Sequence, residues 1–130
     1  MVGIVLISHS HRIAEGAAEL VGQIARGVRV IPAGGTEDGR IGTSTERISA
    51  AISAADTGDG VLLIPDLGSS VLSALSLLAD LDPEHDGKRI VLADAPFVEG
   101  AVAAGVAASA GFDLTTVANA AEEARDVRKL

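Results

Sequence analysis

The sequence predicts an α/β domain built on a doubly wound parallel sheet, and three observations carry that prediction. Short β-branched runs alternate with longer stretches in which apolar residues recur at three- and four-residue steps. The strand runs are apolar throughout, which is typical of strands that helices cover on both faces. The composition is 48% hydrophobic but only 2% aromatic, which favours closely packed aliphatic layers. We therefore expect residues 1–130 to form one three-layer domain with right-handed crossovers.

The first predicted strand–helix unit occupies residues 2–24. Residues 2–7 form an apolar run that is too short for a membrane span and is typical of a buried strand. The period then changes to that of a helix, and Ser8 or Ser10 can cap its N-terminus. The apolar residues that define its predicted buried face are Ile13, Ala17, Leu20, Val21 and Ile24.

The second predicted unit begins with a short strand at residues 28–31. The Gly-rich segment at 32–42 is predicted to be irregular, and a loop of that length in a compact domain is usually functional or disordered. Gly34 and Gly35 could let the backbone approach a ligand or could simply make a turn. Thr43 and Glu46 fit a capping box for a second helix that ends near Gly58.

The second half of the chain repeats the alternation. The third strand, residues 60–65, is apolar like the first and ends at Asp66, and the helix at 71–81 has more leucine than one sheet face can cover. We expect that excess to form a second packing surface such as a subunit interface. The remaining predicted elements are a polar turn at 82–87, a strand at 89–93, a helix at 97–110 that Gly111 ends, a fifth edge strand at 114–117 and an exposed polar helix at 120–127.

A strand order of 2-1-3-4 would place the topological switch between the first and third strands. Ligands of such sheets bind in the crevice at a switch point, outside the carboxyl ends of the strands. His9 and Asp66 each follow one of these two strands. The sequence therefore predicts that both face one crevice.

The predicted pair has the parts of an activated nucleophile. A carboxylate that holds one ring nitrogen of His9 as a donor would leave the other nitrogen unprotonated. Phosphate oxygens would suit the surrounding amides and hydroxyls at two helix N-termini. The predicted phosphate-binding residues are Ser8, Ser10, Gly68, Ser69 and Ser70. The competing interpretation is that His9 and Asp66 are a turn residue and a helix cap without chemistry.

Several classes of function are disfavoured. A formal charge of -8 and the scarcity of aromatic rings argue against nucleic-acid binding. The absence of cysteine excludes disulfides and thiolate sites, and it is compatible with a cytoplasmic protein. No apolar run approaches the roughly 20 residues of a membrane helix. Motifs for binding a nucleotide directly and the hydrolase nucleophile elbow are also missing.

Other titratable residues have simpler interpretations. His11 lies two residues from His9, so the two rings would point to different faces of a helix, and we expect no metal site. His85 is expected in a solvated loop. Glu99 would lie in a first helical turn, where the helix dipole favours an acidic side chain.

Four segments follow strand ends or begin helices in the predicted fold: VLISHS at 5–10, IGT at 41–43, PDLGS at 65–69 and APFVEG at 95–100. Together they resemble the enzyme IIA mannose-type family of the sugar phosphotransferase system. Within that family they resemble the phosphocarrier subunits of phosphoenolpyruvate-dependent dihydroxyacetone kinase. The resemblance implies that His9 carries the phosphoryl group and that Asp66 holds its ring.

The resemblance also implies partners. The donor would be the histidine-containing phosphocarrier protein, and the acceptor would be ADP bound on the kinase's nucleotide subunit. No cofactor would bind to this chain directly, because ADP and ATP stay on the partner. A homodimer is implied as well, which suits the leucine-rich third helix.

Three alternatives remain open at this point. The chain could be an enzyme IIA component of a mannose-type sugar transporter, for which His9 and Asp66 would be equally suited. It could be a receiver-like module phosphorylated on Asp66, although such modules need acidic Mg²⁺ ligands after the first strand, where Ser8, His9 and Ser10 stand. It could also be an interaction domain in which no residue accepts phosphate.

Overall fold

Four parallel strands in the order β2-β1-β3-β4 form the central sheet, which confirms the predicted order. The computed structural model describes residues 1–81 and 89–130, and the predicted polar turn at 82–87, with His85, lies outside them. The strands are β1 (Gly3–Ser8), β2 (Val30–Gly34), β3 (Val61–Pro65) and β4 (Ile90–Leu92). The described helices are α1 (His11–Ile24), α2 (Thr45–Ala55), α3 (Gly68–Asp80), α4 (Phe97–Ser109) and α5 (Leu114–Glu123), and a 3-10 turn follows at Ala124–Asp126.

Two hydrophobic layers cover the sheet, because successive side chains of a strand point to opposite faces. Ile4 and Leu6 of β1 enter the layer shared with α1, α4 and α5. Val5 and Ile7 enter the layer shared with α2 and α3. Burial of each of these aliphatic side chains stabilises the fold by roughly 1.5–3 kcal/mol. The predicted three-layer arrangement is therefore confirmed, with β1 and β3 at its centre.

The buried face of α1 differs from the prediction. Ala17 and Val21 are buried as expected, together with Ala14, but the predicted core residues Ile13, Leu20 and Ile24 are about half exposed. The reason is close packing against α4, where a Cβ on Gly105 would lie 2.6 Å from Val21 Cγ1. This contact turns the small side chains of α1 toward the core and the large ones outward.

The predicted fifth strand at 114–117 is wrong, because these residues form the first turn of α5. Asp113 caps this helix by accepting a hydrogen bond of 2.9 Å from the Thr116 amide. Leu114, Val117, Ala118 and Ala121 are buried at helical spacing. The last helix thus begins earlier than the predicted residue 120 and is half buried, since burial and a cap outweigh the β-branched run at 115–117.

The Gly-rich segment is more regular than predicted. β2 begins and ends later than residues 28–31 and extends to Gly34. A Cβ on Gly34 would lie 2.6 Å from the Ser10 carbonyl oxygen, so glycine is needed where β2 passes the start of α1. Ser44, not Thr43, caps α2 by accepting from the Arg47 amide at 3.2 Å.

The remaining boundaries shift by a few residues. α3 begins at Gly68, three residues before the predicted start, and β4 is shorter than the predicted 89–93. α4 ends as predicted before Gly111, whose φ of +85° lies in the left-handed region. Among residues 1–81 and 89–130, every helix is too short or too polar to cross a bilayer.

Candidate active site

His9 and Asp66 meet at the carboxyl ends of the two central strands. The register pairs Ile7 of β1 with Pro65 of β3, so the residues that follow these strands are neighbours. The Asp66 amide donates to the Ile7 carbonyl at 2.9 Å, which holds the two strand ends together. His9 Nδ1 then lies 2.9 Å from Asp66 Oδ1. The predicted proximity of His9 and Asp66 thus follows from the strand order itself.

The Asp66 carboxylate accepts hydrogen bonds on both oxygens. Oδ2 accepts from the Ser8 hydroxyl at 2.8 Å and from the His9 amide at 3.1 Å. Oδ1 accepts from the His9 ring, from the Leu67 amide at 2.7 Å and from the Ser70 hydroxyl at 3.1 Å. Every one of these donors stabilises the ionised form of the carboxylate.

Two effects oppose each other at Asp66. Partial burial of the carboxyl raises its pKa, but the hydrogen bonds from the Ser8 hydroxyl, the His9 amide and ring and the Leu67 amide lower it. The net result is a pKa of Asp66 below its ordinary value. The side chain is therefore a fixed negative charge beside the imidazole at neutral pH.

The carboxylate sets the chemical state of the His9 ring. Because an ionised carboxylate only accepts, Nδ1 must be the nitrogen that carries the proton in this contact. In the neutral ring, Nε2 then has a free lone pair. The Ser69 hydroxyl lies against Nε2 at hydrogen-bond distance and is the donor in that contact. The His9 side chain is 19% exposed, and Nε2 can act as a nucleophile when the Ser69 hydroxyl turns away from it.

The five predicted phosphate-binding residues fall into two groups. Ser69 is exposed at Nε2, and Gly68 beside it lies in the first turn of α3, where backbone amides have no acceptor within the helix. Ser10 caps α1 by accepting from the Ile13 amide at 3.3 Å, which leaves its own hydroxyl proton to be donated. Ser8 and Ser70 differ, since both are fully buried and their hydroxyls contact Asp66.

The loop between β2 and α2 contacts the site, and motif spacing in the sequence did not predict these contacts. The Gly42 amide donates to the His9 carbonyl at 2.9 Å. The Thr43 hydroxyl lies 2.7 Å from the Ser73 hydroxyl, and Ser73 donates to the Ser69 carbonyl at 3.3 Å. The only sequence signal was the IGT segment at 41–43, which entered through the resemblance.

The other candidate residues lie outside this constellation. His11 contacts Glu15 at 3.4 Å on the exposed side of α1, and Glu99 contacts Lys129 at 3.7 Å. Gly34 approaches the start of α1 and Gly35 donates to the Ser8 carbonyl. Within the part of the chain that the structure describes, no group of three His, Cys, Asp or Glu side chains could hold a metal ion.

The chain was compared with known protein families, with curated proteins and with solved structures. The family model EIIA-man, described as PTS system fructose IIA component, matches residues 3–118. The matched residues include both strand ends, with His9 and Asp66. The chain belongs to the EIIA-man family of the phosphotransferase system.

Among the curated relatives of this chain are subunits named DhaM. The PEP-dependent dihydroxyacetone kinase 2 phosphoryl donor subunit DhaM of Listeria innocua is 40% identical over 82% of this chain and 85% of that protein. The corresponding DhaM subunit of Providencia stuartii is 33% identical over 99% of this chain but only 28% of its own length. The chain thus spans about a quarter of some relatives and most of others.

A solved structure has the same fold. It is titled as the crystal structure of the unknown function protein EF1359, and it superposes with a TM-score of 0.84 at 34% identity. The superposition covers 95% of both chains. The α/β architecture with strand order 2-1-3-4 is therefore that of a known structure.

Proposed function

We propose that this chain is a cytoplasmic phosphohistidine carrier. His9 takes a phosphoryl group from the histidine-containing phosphocarrier protein and passes it to ADP bound on the nucleotide subunit of dihydroxyacetone kinase. The observation that carries the proposal is the 2.9 Å contact between His9 Nδ1 and Asp66 Oδ1, which leaves Nε2 as the nucleophile. The names of the similar DhaM subunits support the kinase as the destination.

The loading step follows from the state of the ring. The lone pair of His9 Nε2 attacks phosphorus, the N–P bond of the donor phosphohistidine breaks, and its electron pair returns to the donor ring. The Nδ1 proton of His9 stays in place, so its ring becomes positively charged. Asp66 balances that charge at 2.9 Å.

The phosphoryl oxygens need donors once the group is on Nε2. The Ser69 hydroxyl contacts Nε2 in this structure and would turn to a phosphoryl oxygen. The amides of Gly68 and Ser69 begin α3, and helix N-termini favour anions. In the unloading step the N–P bond breaks, its electron pair returns to Nε2, and an oxygen of the ADP β-phosphate forms the new bond to phosphorus.

The nucleotide stays on the partner in this proposal. The sequence contains neither the phosphate-binding loop nor the dinucleotide fingerprint that would hold it directly. ADP therefore acts as a cofactor that is rephosphorylated in place on the kinase subunit. We also propose a homodimer through α3, whose Leu72 is 68% exposed beside the half-exposed Leu75.

Labelling with ³²P-phosphoenolpyruvate and the general phosphotransferase proteins tests the carrier role. We expect wild type and His11→Ala to be labelled and His9→Ala to remain unlabelled. His11→Ala is the matched control because that ring lies on the exposed side of α1, paired with Glu15. The label should be stable in base and lost in acid, as expected for a phosphohistidine.

Other outcomes would redirect the proposal. Equal labelling of wild type and His9→Ala would exclude His9 as the carrier. A base-labile label that Asp66→Asn abolishes would instead favour the receiver-like alternative.

One observation favours a second destination for the phosphate. The matching family model is described as a PTS system fructose IIA component, which is a sugar transporter part. In that case the phosphorylated chain would pass its labelled phosphoryl group to the histidine of a transporter IIB component. Mixing the labelled chain with dihydroxyacetone kinase subunits, ADP and dihydroxyacetone decides between the two, since only the kinase branch yields labelled dihydroxyacetone phosphate.

A further inference from the structure

Ser8 lies at the end of β1 with its hydroxyl turned away from solvent. The residue is fully buried, and its hydroxyl donates to Asp66 Oδ2 at 2.8 Å. The Ser8 Oγ oxygen in turn accepts from the Ser10 amide at 3.1 Å. The single proton of the hydroxyl is therefore donated to Asp66, which leaves none for a phosphoryl oxygen at Nε2.

The Ser8 contact fixes the rotation of the Asp66 carboxyl group. A carboxylate can turn about its Cβ–Cγ bond, and a partial turn would move both of its oxygens out of line with the ring nitrogen. The Ser8 hydroxyl and the His9 amide hold Oδ2, so Oδ1 remains directed at the ring nitrogen Nδ1. The tautomer of an imidazole is set by the hydrogen bond that its other nitrogen makes.

We propose that Ser8 is a positioning residue for phosphoryl transfer, which acts through Asp66 to keep the His9 proton on Nδ1 and the lone pair on Nε2. This inference deepens the proposed carrier function and rests on it for its kinetic consequence. Its structural consequence, the tautomer of His9, can be measured without any transfer.

Ser70 contributes to the same carboxylate more weakly. Its hydroxyl lies 3.1 Å from Asp66 Oδ1 but 2.6 Å from the Leu67 carbonyl. A hydroxyl has one proton, so Ser70 shares it between these acceptors and favours the nearer one. Ser8 donates its proton to Asp66 at 2.8 Å without a competing acceptor, and we therefore expect Ser8→Ala to have a larger effect than Ser70→Ala.

Two readouts on Ser8→Ala, Ser70→Ala and a control variant test the proposal. Ser109→Ala is the control, because its hydroxyl donates to the Val106 carbonyl at the exposed end of α4, on a different element from the site. Long-range ¹H–¹⁵N correlation spectra of the His9 ring report the tautomer. We expect the Nδ1–H form in wild type and Ser109→Ala, and a mixture of both neutral tautomers in Ser8→Ala.

The kinetic readout is the rate of labelling from phosphoenolpyruvate. We expect Ser8→Ala to be slowed by roughly tenfold, as is common when the partner of a site ligand is removed, and Ser70→Ala to be slowed less. Ser8→Cys keeps the shape and a weak donor and should fall between wild type and Ser8→Ala. If Ser8→Ala does not fold by circular dichroism, Ser8→Cys carries both readouts, with a partly mixed tautomer as the expected result.

The proposal is overturned if Ser8→Ala retains the wild-type tautomer, whether or not its labelling is slower. A slower rate with an unchanged tautomer would place the effect of Ser8 on the fold instead of on the ring. If wild type itself is not labelled, the carrier function fails, while the tautomer spectra still decide the role of Ser8.

Discussion

The Oδ1 oxygen of Asp66 lies 2.9 Å from Nδ1 of His9, although the two residues are 57 positions apart in the chain. The contact exists because β1 and β3 are hydrogen-bonded neighbours whose carboxyl ends are in register. The buried hydroxyls of Ser8 and Ser70 are among the donors that hold the carboxylate, and the exposed Ser69 faces the other ring nitrogen. The four predictions below follow from this site and from the packing around it.

Replacing Asp66 by asparagine should slow phosphoryl transfer roughly 10- to 100-fold without unfolding the protein. An amide can present a donor where the carboxylate accepts, so the His9 proton would move to Nε2 and remove the nucleophilic lone pair. Asp126→Asn, on the exposed 3-10 turn, is the matched control. Rapid-quench labelling measures both, and a wild-type rate for Asp66→Asn would refute the role of this carboxylate.

The lowered pKa of Asp66 predicts how stability depends on pH. A carboxyl whose pKa is lowered by folding stabilises the native state at pH values above its pKa in the unfolded chain. That stabilisation is lost as the pH falls through its pKa in the folded protein. The ordinary value is 3.8, so the loss should occur below it. Urea unfolding of wild type and Asp66→Asn should show a constant difference near pH 7 that shrinks below about pH 4. A difference that grows on acidification would contradict this sign.

The two glycines Gly34 and Gly16 should respond in opposite ways to alanine. A Cβ on Gly34 would clash with the Ser10 carbonyl, so Gly34→Ala should destabilise the fold by about 1–3 kcal/mol. A Cβ on Gly16, in the middle of α1, meets nothing within 4 Å, so Gly16→Ala should stabilise by about 0.5–1 kcal/mol. Urea unfolding gives both values, and equal effects would mean that β2 does not pass α1 this closely.

The proposed dimer through α3 predicts that Leu72→Glu favours the monomer. A buried, unpaired carboxylate at an interface is strongly unfavourable. Leu20→Glu is the matched control, since Leu20 is 44% exposed on α1, away from α3. Sedimentation velocity across a concentration series measures the association. A dimer that survives Leu72→Glu but not Leu20→Glu would move the interface to α1.

Local chemistry made much of the fold predictable. Strands such as Val61–Pro65 are apolar throughout, and the change of period after each of them marks a helix. Prediction failed where two local signals competed. Residues 114–117 look like a strand because 115–117 are β-branched, yet the Asp113 cap and the helical spacing of the buried Leu114 and Val117 make them helical. The prediction of the buried face of α1 failed for a different reason, because the close approach of Gly105 on α4 to α1 determines which face is buried.

The His9–Asp66 pair was predictable from the sequence, but the separate roles of the surrounding serines were not. A histidine and an aspartate after two apolar strands, together with the strand order, were enough to expect the His9–Asp66 pair. The five candidate phosphate ligands could not be separated by residue type, since four of them are serines. Their burial separates them, because Ser8 and Ser70 turn inward to the carboxylate while Ser69 turns outward to the ring.

The sequence alone determined the alternation of strands and helices, the apolar centre of the sheet and the two residues most suited to chemistry. Tertiary structure decided the direction of each hydroxyl, the tautomer imposed on His9 and the buried face of α1. The physical reason is that periodicity and composition are properties of neighbouring residues, whereas the direction of a side chain depends on the register and packing of segments far apart in the chain.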